Sequence, residues 1–298
     1  MITLAQLEQE VARRVGPYWR FFTDRQIPNT AQFTFANVPE LRSAIDSDLV
    51  TNLWILRRGD TVDGTPVSFD IVDRQRTVDV YDAEQGRVFP DRPWGAIPAA
   101  GEYFEFHHLN PDQELRAAVM AGLRRCFLEE MFAAVQTSSY GDIDLTYQAP
   151  WITSPNQVTR VQFGWYKPFG DAPFEATMQQ GHVMLRNTSG PYVPANLWVT
   201  ALRPAWSWVN DAESSMGPTQ DDDLLSVDLD YAASAGHIEA WHLFPGRCQA
   251  AAAGGLQGTQ QMAAQEFTRQ SLIWGPPPVR RMGFSEVVGQ PLMGSVAR

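Results

Sequence analysis

The four residues Asn110-Pro111-Asp112-Gln113 constrain this chain more than any other stretch. Asn is a strong N-cap, Pro is at home at the first position of a helix, Asp complements the positive first turn, and Gln sits where a capping box places its side chain. A helix therefore starts here. Leu115, Val119, Leu123, Phe127 and Met131 follow at helical spacing with Cys126 beside them, while Arg116, Arg124, Arg125, Glu129 and Glu130 fall elsewhere. This pattern predicts a helix over 111–135 with one buried face.

The segment before it reads as sheet. Thr77-Val78-Asp79-Val80-Tyr81 alternates in the strand manner, residues 82–86 supply turn chemistry, and Arg87-Val88-Phe89 completes a hairpin. The Pro- and Gly-rich residues 90–101 are unsuited to a central strand and predict a loop that carries Trp94 back onto the sheet, with a strand returning over Glu102–His107. Leu49–Leu56 and Val67–Val72 are further strand candidates joined by a turn at Arg57-Arg58-Gly59-Asp60. At the start of the chain, Thr3-Leu4-Ala5-Gln6 is a capping box for a short amphipathic helix that Gly16-Pro17 ends. The aromatic cluster Tyr18–Phe22 is expected to pack under the strands.

After the polar break at 136–141 the texture changes. Ile143–Tyr147, Val158–Trp165, His182–Arg186 and Leu197–Leu202 read as strands separated by Pro, Gly and Asn, a spacing that predicts a β-sandwich or partial barrel. Asp221-Asp222-Asp223 precedes a helical pattern over 224–244 and reads as a cap or a solvated acidic run in preference to a metal site. A second helix is expected over Cys248–Trp274, rich in small residues, before Gly275-Pro276-Pro277-Pro278. The fold class is α+β. The expected segments are a helix/β-hairpin/helix domain (1–138), a β-rich domain (139–220), a helical segment (221–274) and an extended tail (275–298). In that tail Arg280, Arg281, Met282, Phe284, Val287 and Val288 are candidate docking residues, because an extended strand with alternate anchors suits β-augmentation. A frayed terminus explains the same residues equally well.

Composition narrows the function. The formal net charge of −11 argues against a dedicated nucleic-acid binder, whose affinity rests on neutralising phosphates, yet suits a surface along which DNA slides without sticking. Two distant cysteines, Cys126 and Cys248, are expected to be buried thiols. No apolar leader follows Met1 and no stretch is long enough to span a bilayer, so the chain reads as one made in the cytoplasm, with no membrane partner. Phosphate loops, nucleophile elbows and zinc patterns are missing. His107-His108 point to opposite strand faces, His237 and His242 do not share the four-residue offset of a chelating pair, and Glu102 and Glu105 have opposite parity. No catalytic residue, cofactor or metal is expected.

The layout from Val78 to Met131 resembles a module of tailed-phage virion proteins. The matching pieces are Tyr81-Asp82-Ala83 with Gly86-Arg87-Val88, Pro93-Trp94 with Pro98, Gly101-Glu102-Tyr103-Phe104-Glu105-Phe106-His107, and Leu115-Arg116-Ala117-Ala118. Asp144-Leu145-Thr146 and Pro150-Trp151-Ile152-Thr153 resemble its continuation, and together the pieces cover about half the chain. Among these proteins the chain resembles head-to-tail adaptors, or connectors, of the neck. The resemblance implies a non-enzymatic subunit in the virion, in a ring of many copies, dodecameric, that contacts the portal and tail-side neck proteins and lets DNA pass. The chain departs from the short, mostly helical adaptors in its large β-rich half, which leaves a tail, baseplate or capsid-associated attachment protein of the same particle as the alternative. An enzyme that degrades envelope polymers is a third, and needs a paired-carboxylate cleft.

Overall fold

The computed structural model describes residues 1–16, 18–22, 33–34, 53–59, 61–62, 65–66, 74–82, 87–95, 103–136, 142–188, 196–253 and 260–275. It is an α+β protein with several antiparallel sheets. By internal contacts the chain forms two compact units, one from Met1–Cys126 with Ala205–Trp274, the other built on Phe127–Pro204. The second unit is therefore an insertion within the first. These junctions differ from the borders at 138 and 220 that the sequence suggests. The candidate docking residues Arg280, Arg281, Met282, Phe284, Val287 and Val288 lie outside the described residues, as does the strand expected over Val67–Val72.

In chain order, β1 (Ile2–Thr3) leads into α1 (Leu4–Val15), followed by β2 (Trp19–Phe22), β3 (Phe33–Thr34), β4 (Trp54–Gly59), β5 (Thr61–Val62), β6 (Thr65–Pro66), β7 (Gln75–Asp82), β8 (Arg87–Pro90) and β9 (Tyr103–His107). A π-helical turn, Pro111–Leu115, opens α2 (Arg116–Arg125). The insertion holds β10 (Phe127–Gln136), β11 (Ile143–Asp144), α3 (Leu145–Gln148), β12 (Val158–Gly164), β13 (Pro168–Asp171), β14 (Phe174–Gln179), β15 (His182–Asn187) and β16 (Asn196–Pro204). The chain then returns through β17 (Trp208–Val209), β18 (Ala212–Glu213) and β19 (Leu224–Leu225) to α4 (Leu229–Leu243), α5 (Pro245–Ala253) and α6 (Gln260–Ile273).

The first unit is built largely as its local signals direct. Thr3 caps α1 with the reciprocal Gln6 bond of a capping box, and the buried Leu4, Leu7, Val11 and Val15 form its inner face. A six-stranded antiparallel sheet runs in the order β2-β9-β4-β7-β8-β3, including the expected β7–β8 hairpin. Trp94 returns to this sheet and meets Phe104 edge-on with ring centroids 6.0 Å apart. Arg76 fixes that loop: its guanidinium lies 4.4 Å from the centre of the Trp94 ring and donates to the carbonyls of Arg92 and Pro93. The turn expected at Arg57-Arg58-Gly59-Asp60 is not where the sequence places it. Residues 57–59 continue β4, because β9 pairs along them as far as Gly59↔Tyr103.

The helical core turns on α4, whose residues 231–241 are all buried. Its small side chains let α2 lie directly on its backbone. A methyl group at Gly122 would stand 2.7 Å from the carbonyl carbon of Ala235 and on the backbone nitrogen of Gly236, and one at Gly236 would strike Val11 at 2.7 Å. The helix pattern expected over 224–244 begins later, at Leu229, with Asp228 accepting from the Tyr231 N–H. Beyond Phe244 the expected single helix is two, α5 and α6.

The helix expected to reach residue 135 ends at Arg125. Cys126 is already extended (φ −85°, ψ 122°), and Phe127–Gln136 forms β10, which pairs with β16 along its length. Helix propensity among Leu, Glu, Met and Ala differs by only tenths of a kcal/mol per residue. Seating Phe132 and Ala134 against a sandwich core outweighs that preference. The insertion is indeed a two-sheet sandwich, β10-β16-β12-β13 over β11-β15-β14. Leu145, Ile152, Val183, Leu185, Leu197 and Val199 are fully buried in its core. The strand expected over Ile143–Tyr147 is short, since Asp144 caps the α3 turn by accepting from the Tyr147 N–H.

Candidate functional site

The densest polar constellation lies in the first unit, where α1, α2, the residue before β7 and the turn before β19 meet. Arg116 donates through Nε to Glu8 Oε1 at 2.7 Å, through Nη1 to the Thr219 carbonyl at 3.1 Å, and through Nη2 to Asp221. Arg74 holds the other oxygen of Asp221 at 2.8 Å and reaches Asp112 through Nε and Nη2. Glu8 and Asp221 are almost completely buried. Burial works against the Arg116 charge, but the carboxylates of Glu8 and Asp221 more than offset it and hold the guanidinium above its ordinary value. Arg74 is raised in the same way, with Asp112 and Asp221 overcoming the burial penalty.

The run Asp221-Asp222-Asp223 thus does not cap a helix through its side chains. Its backbone does: the Asp221 and Asp223 carbonyls accept from the N–H groups of Ala5 and Leu4, two orphan donors of α1. The Asp223 carboxylate accepts from the N–H groups of Thr219 and Gln220 and from the Asn210 side chain. Asp222 alone faces solvent.

Beside this network a cleft of about 370 Å³ is lined by Trp54, Arg74, Arg76, Asp91, Asn110 and Asp112 among others. Asn110 is the expected N-cap, accepting from Gln113 N, although its own N–H donates to Glu114 and not to Gln113. Asp91 accepts from the Thr77 N–H at 3.0 Å. Arg74, Arg76, Asp91 and Asp112 in its lining thus serve the fold.

Of the histidines and acids weighed from sequence, Glu105, His107 and His237 make contacts within the fold, and Glu102 lies outside the described residues. Glu105 and His107, fully buried, form a 2.7 Å pair that Gln9 of α1 completes by donating to Glu105 at 2.7 Å. His237 accepts from the Trp241 indole N–H at 3.3 Å. Burial, reinforced by the nearby Arg14 charge, lowers its pKa to about 4. Cys126 and Cys248 are buried free thiols, as expected, and burial pushes both up to about 12. Among the described residues no group of three His, Cys, Asp or Glu is placed to hold a metal ion, and no helix is long and apolar enough to cross a membrane.

Apolar surface is concentrated elsewhere. In the second unit, Trp165, Tyr166 and Phe169 at the β12–β13 connection are 54%, 98% and 60% exposed. In the first unit, Leu272, Ile273 and Trp274 stand exposed at the end of α6. The sequence shows these aromatics but not their exposure, because Val158–Trp165 reads as a sandwich strand whose large side chains suit core and interface alike. No family model, no curated protein and no solved structure matches this chain.

Proposed function

We propose that this protein is a non-enzymatic structural subunit of a tailed-phage particle, placed as a head-to-tail adaptor in a ring between portal and tail. The observation that carries the reading is the distribution of polar and apolar groups. Among the described residues of the first unit the buried acids and arginines, with His107, bind one another, neighbouring polar groups and the backbone, whereas contiguous large apolar side chains stand in solvent. That is the surface of a subunit that makes contacts, since exposed apolar patches mark interaction sites. The particle itself is inferred from the resemblance over Val78–Met131 and its continuation. The net charge of −11 supports a channel that repels the phosphates of passing DNA.

The exposed aromatic set of the inserted sandwich favours one further position, a tail, baseplate or capsid-associated attachment protein of the same particle. Light scattering and negative-stain electron microscopy of the purified full chain over a wide concentration range separate the readings. Closed rings of one mass with a central opening are the expected result. A stable trimer moves the protein to the attachment position, since spikes and fibres commonly close with threefold symmetry. A monomer at every concentration overturns the ring.

A further inference from the structure

The cleft of about 370 Å³ lies wholly in the first unit, at the end of the six-stranded sheet where β4 begins and β9 gives way to the Asn110 cap. Trp54 opens β4, paired with Thr77 and His107, and Gln75 opens β7. Asn110 and Gln113 belong to the start of the π-helical turn. The charged groups of this wall are engaged. Arg74 is held by Asp112 and Asp221, Arg76 by the carbonyls of Gln75, Arg92 and Pro93, and Asp91 by the Thr77 N–H. A phosphate or carboxylate entering here would have to displace one of these partners.

The neutral groups are placed differently. Asn110 is only 7% exposed, and its Oδ1 accepts from the Gln113 N–H at 3.1 Å. Its Nδ2 is left in the cleft wall without an acceptor among the described residues. A buried donor in that state costs free energy that an incoming ligand oxygen recovers. Trp54 is half-buried, and neither its indole N–H nor its ring has a hydrogen-bond, aromatic or cationic partner among the described residues. Trp94, by contrast, is covered by Arg76 and Phe104. The side-chain amides of Gln75 and Gln113 are likewise unbonded among the described residues.

An uncovered aromatic face beside three carboxamides, with the nearby charges engaged, selects a neutral ligand that is apolar on one side and rich in hydroxyls at its rim. A pyranose has this form: its C–H groups pack on an aromatic ring, and each hydroxyl both donates and accepts, as a carboxamide does. The volume falls within the range of small-molecule sites, near its lower end. We infer that this cleft binds a neutral saccharide, one sugar ring packing on Trp54 while its hydroxyls bond the side chains of Asn110, Gln75 and Gln113. The site does not depend on where the chain stands in a particle.

Saturation-transfer NMR of the purified full chain tests the site, with methyl α-glucoside, methyl β-galactoside and N-acetylglucosamine as probes at up to about 10 mM, where affinities near 1 mM are readily seen. Transfer to the ring C–H protons of at least one sugar is the expected result. Asn110→Asp keeps a good N-cap but exchanges the free NH2 for a carboxylate, and should weaken binding about tenfold with the fold retained in thermal melts. Trp54→Phe, which keeps an aromatic ring on β4, should weaken it by a similar factor. Should either variant fail to fold, Gln75→Ala with Gln113→Ala removes only unbonded side chains and should still lower affinity about tenfold. Absence of transfer to all three sugars overturns the inference, as does transfer that survives these substitutions. Binding of adenosine in place of every sugar overturns it too, and makes Trp54 a platform for a base.

Discussion

At the scale of single residues, Arg116 is the group on which most depends. It holds two almost fully buried carboxylates, Glu8 and Asp221, and breaking a buried pair by removing one partner costs about 3–5 kcal/mol because the other charge stays buried. Arg116→Ala is expected to lose that much in urea unfolding, and Arg116→Lys to recover only part of it, since an ammonium lacks the fork that serves Glu8, Thr219 and Asp221 together. A uniform effect of less than about 1 kcal/mol, the range of surface pairs, would show the network to be solvated. His237 gives a pH dependence of definite sign. Its imidazole takes a proton near pH 6.5 when unfolded and near pH 4 when folded. The unfolded state therefore binds more protons between these values, and stability present above pH 6.5 is lost as pH falls towards 4, by about 3 kcal/mol from this residue. His108, also lowered chiefly by burial, acts in the same direction. Thermal melts from pH 7 to pH 5 should show the fall, and His237→Gln should flatten it; an unchanged slope in the variant would assign the effect to other groups.

At the scale of elements, the α2–α4 contact is decided by one glycine, Gly122. A Cβ on Gly122 meets the Ala235 and Gly236 backbone, which has no rotamer by which to yield, so Gly122→Ala should cost about 1–3 kcal/mol or more through overpacking. Gly246, near the start of α5, has open space around its would-be Cβ, and Gly246→Ala should be neutral or stabilise by up to about 1 kcal/mol. Chemical denaturation of the two variants side by side checks the contrast. Elements governed by local chemistry were legible in the sequence: the Thr3 capping box, the Asn110 N-cap and the β7–β8 hairpin all form. Elements governed by partners distant in sequence were not. Residues 127–135 satisfy helical spacing and do not alternate as a strand would, and only β16, some seventy residues on by the ladder Phe127↔Pro204, makes them one. The polar clusters were hidden for the same reason. Glu105 and His107 share strand parity, but nothing local says that Gln9 waits on that face, and Asp221 reads as a cap until Arg74 and Arg116 are brought to it.

At the scale of the whole molecule, the chain is a body interrupted by a sandwich whose two ends leave from one place. β10 begins opposite the end of β16, with Phe127 paired to Pro204, and just outside the insertion the Ala205 N–H donates to the Cys126 carbonyl at 2.8 Å. Adjacent ends are what let a domain be inserted without disturbing its host. Replacing Phe127–Pro204 by a short Gly-Ser bridge between Cys126 and Ala205 should therefore leave a first unit that melts cooperatively, and Phe127–Pro204 alone should keep the far-ultraviolet signature of a sandwich. The exposed Trp165, Tyr166 and Phe169 all lie in the excised part, so the bridged protein should be monomeric where the full chain associates. Association that survives excision would move the interface to the first unit, with the exposed Leu272, Ile273 and Trp274 of α6 as its first candidate. Loss of folding in the bridged protein would mean instead that the inserted sandwich supports its host, and that the two units are stable only together.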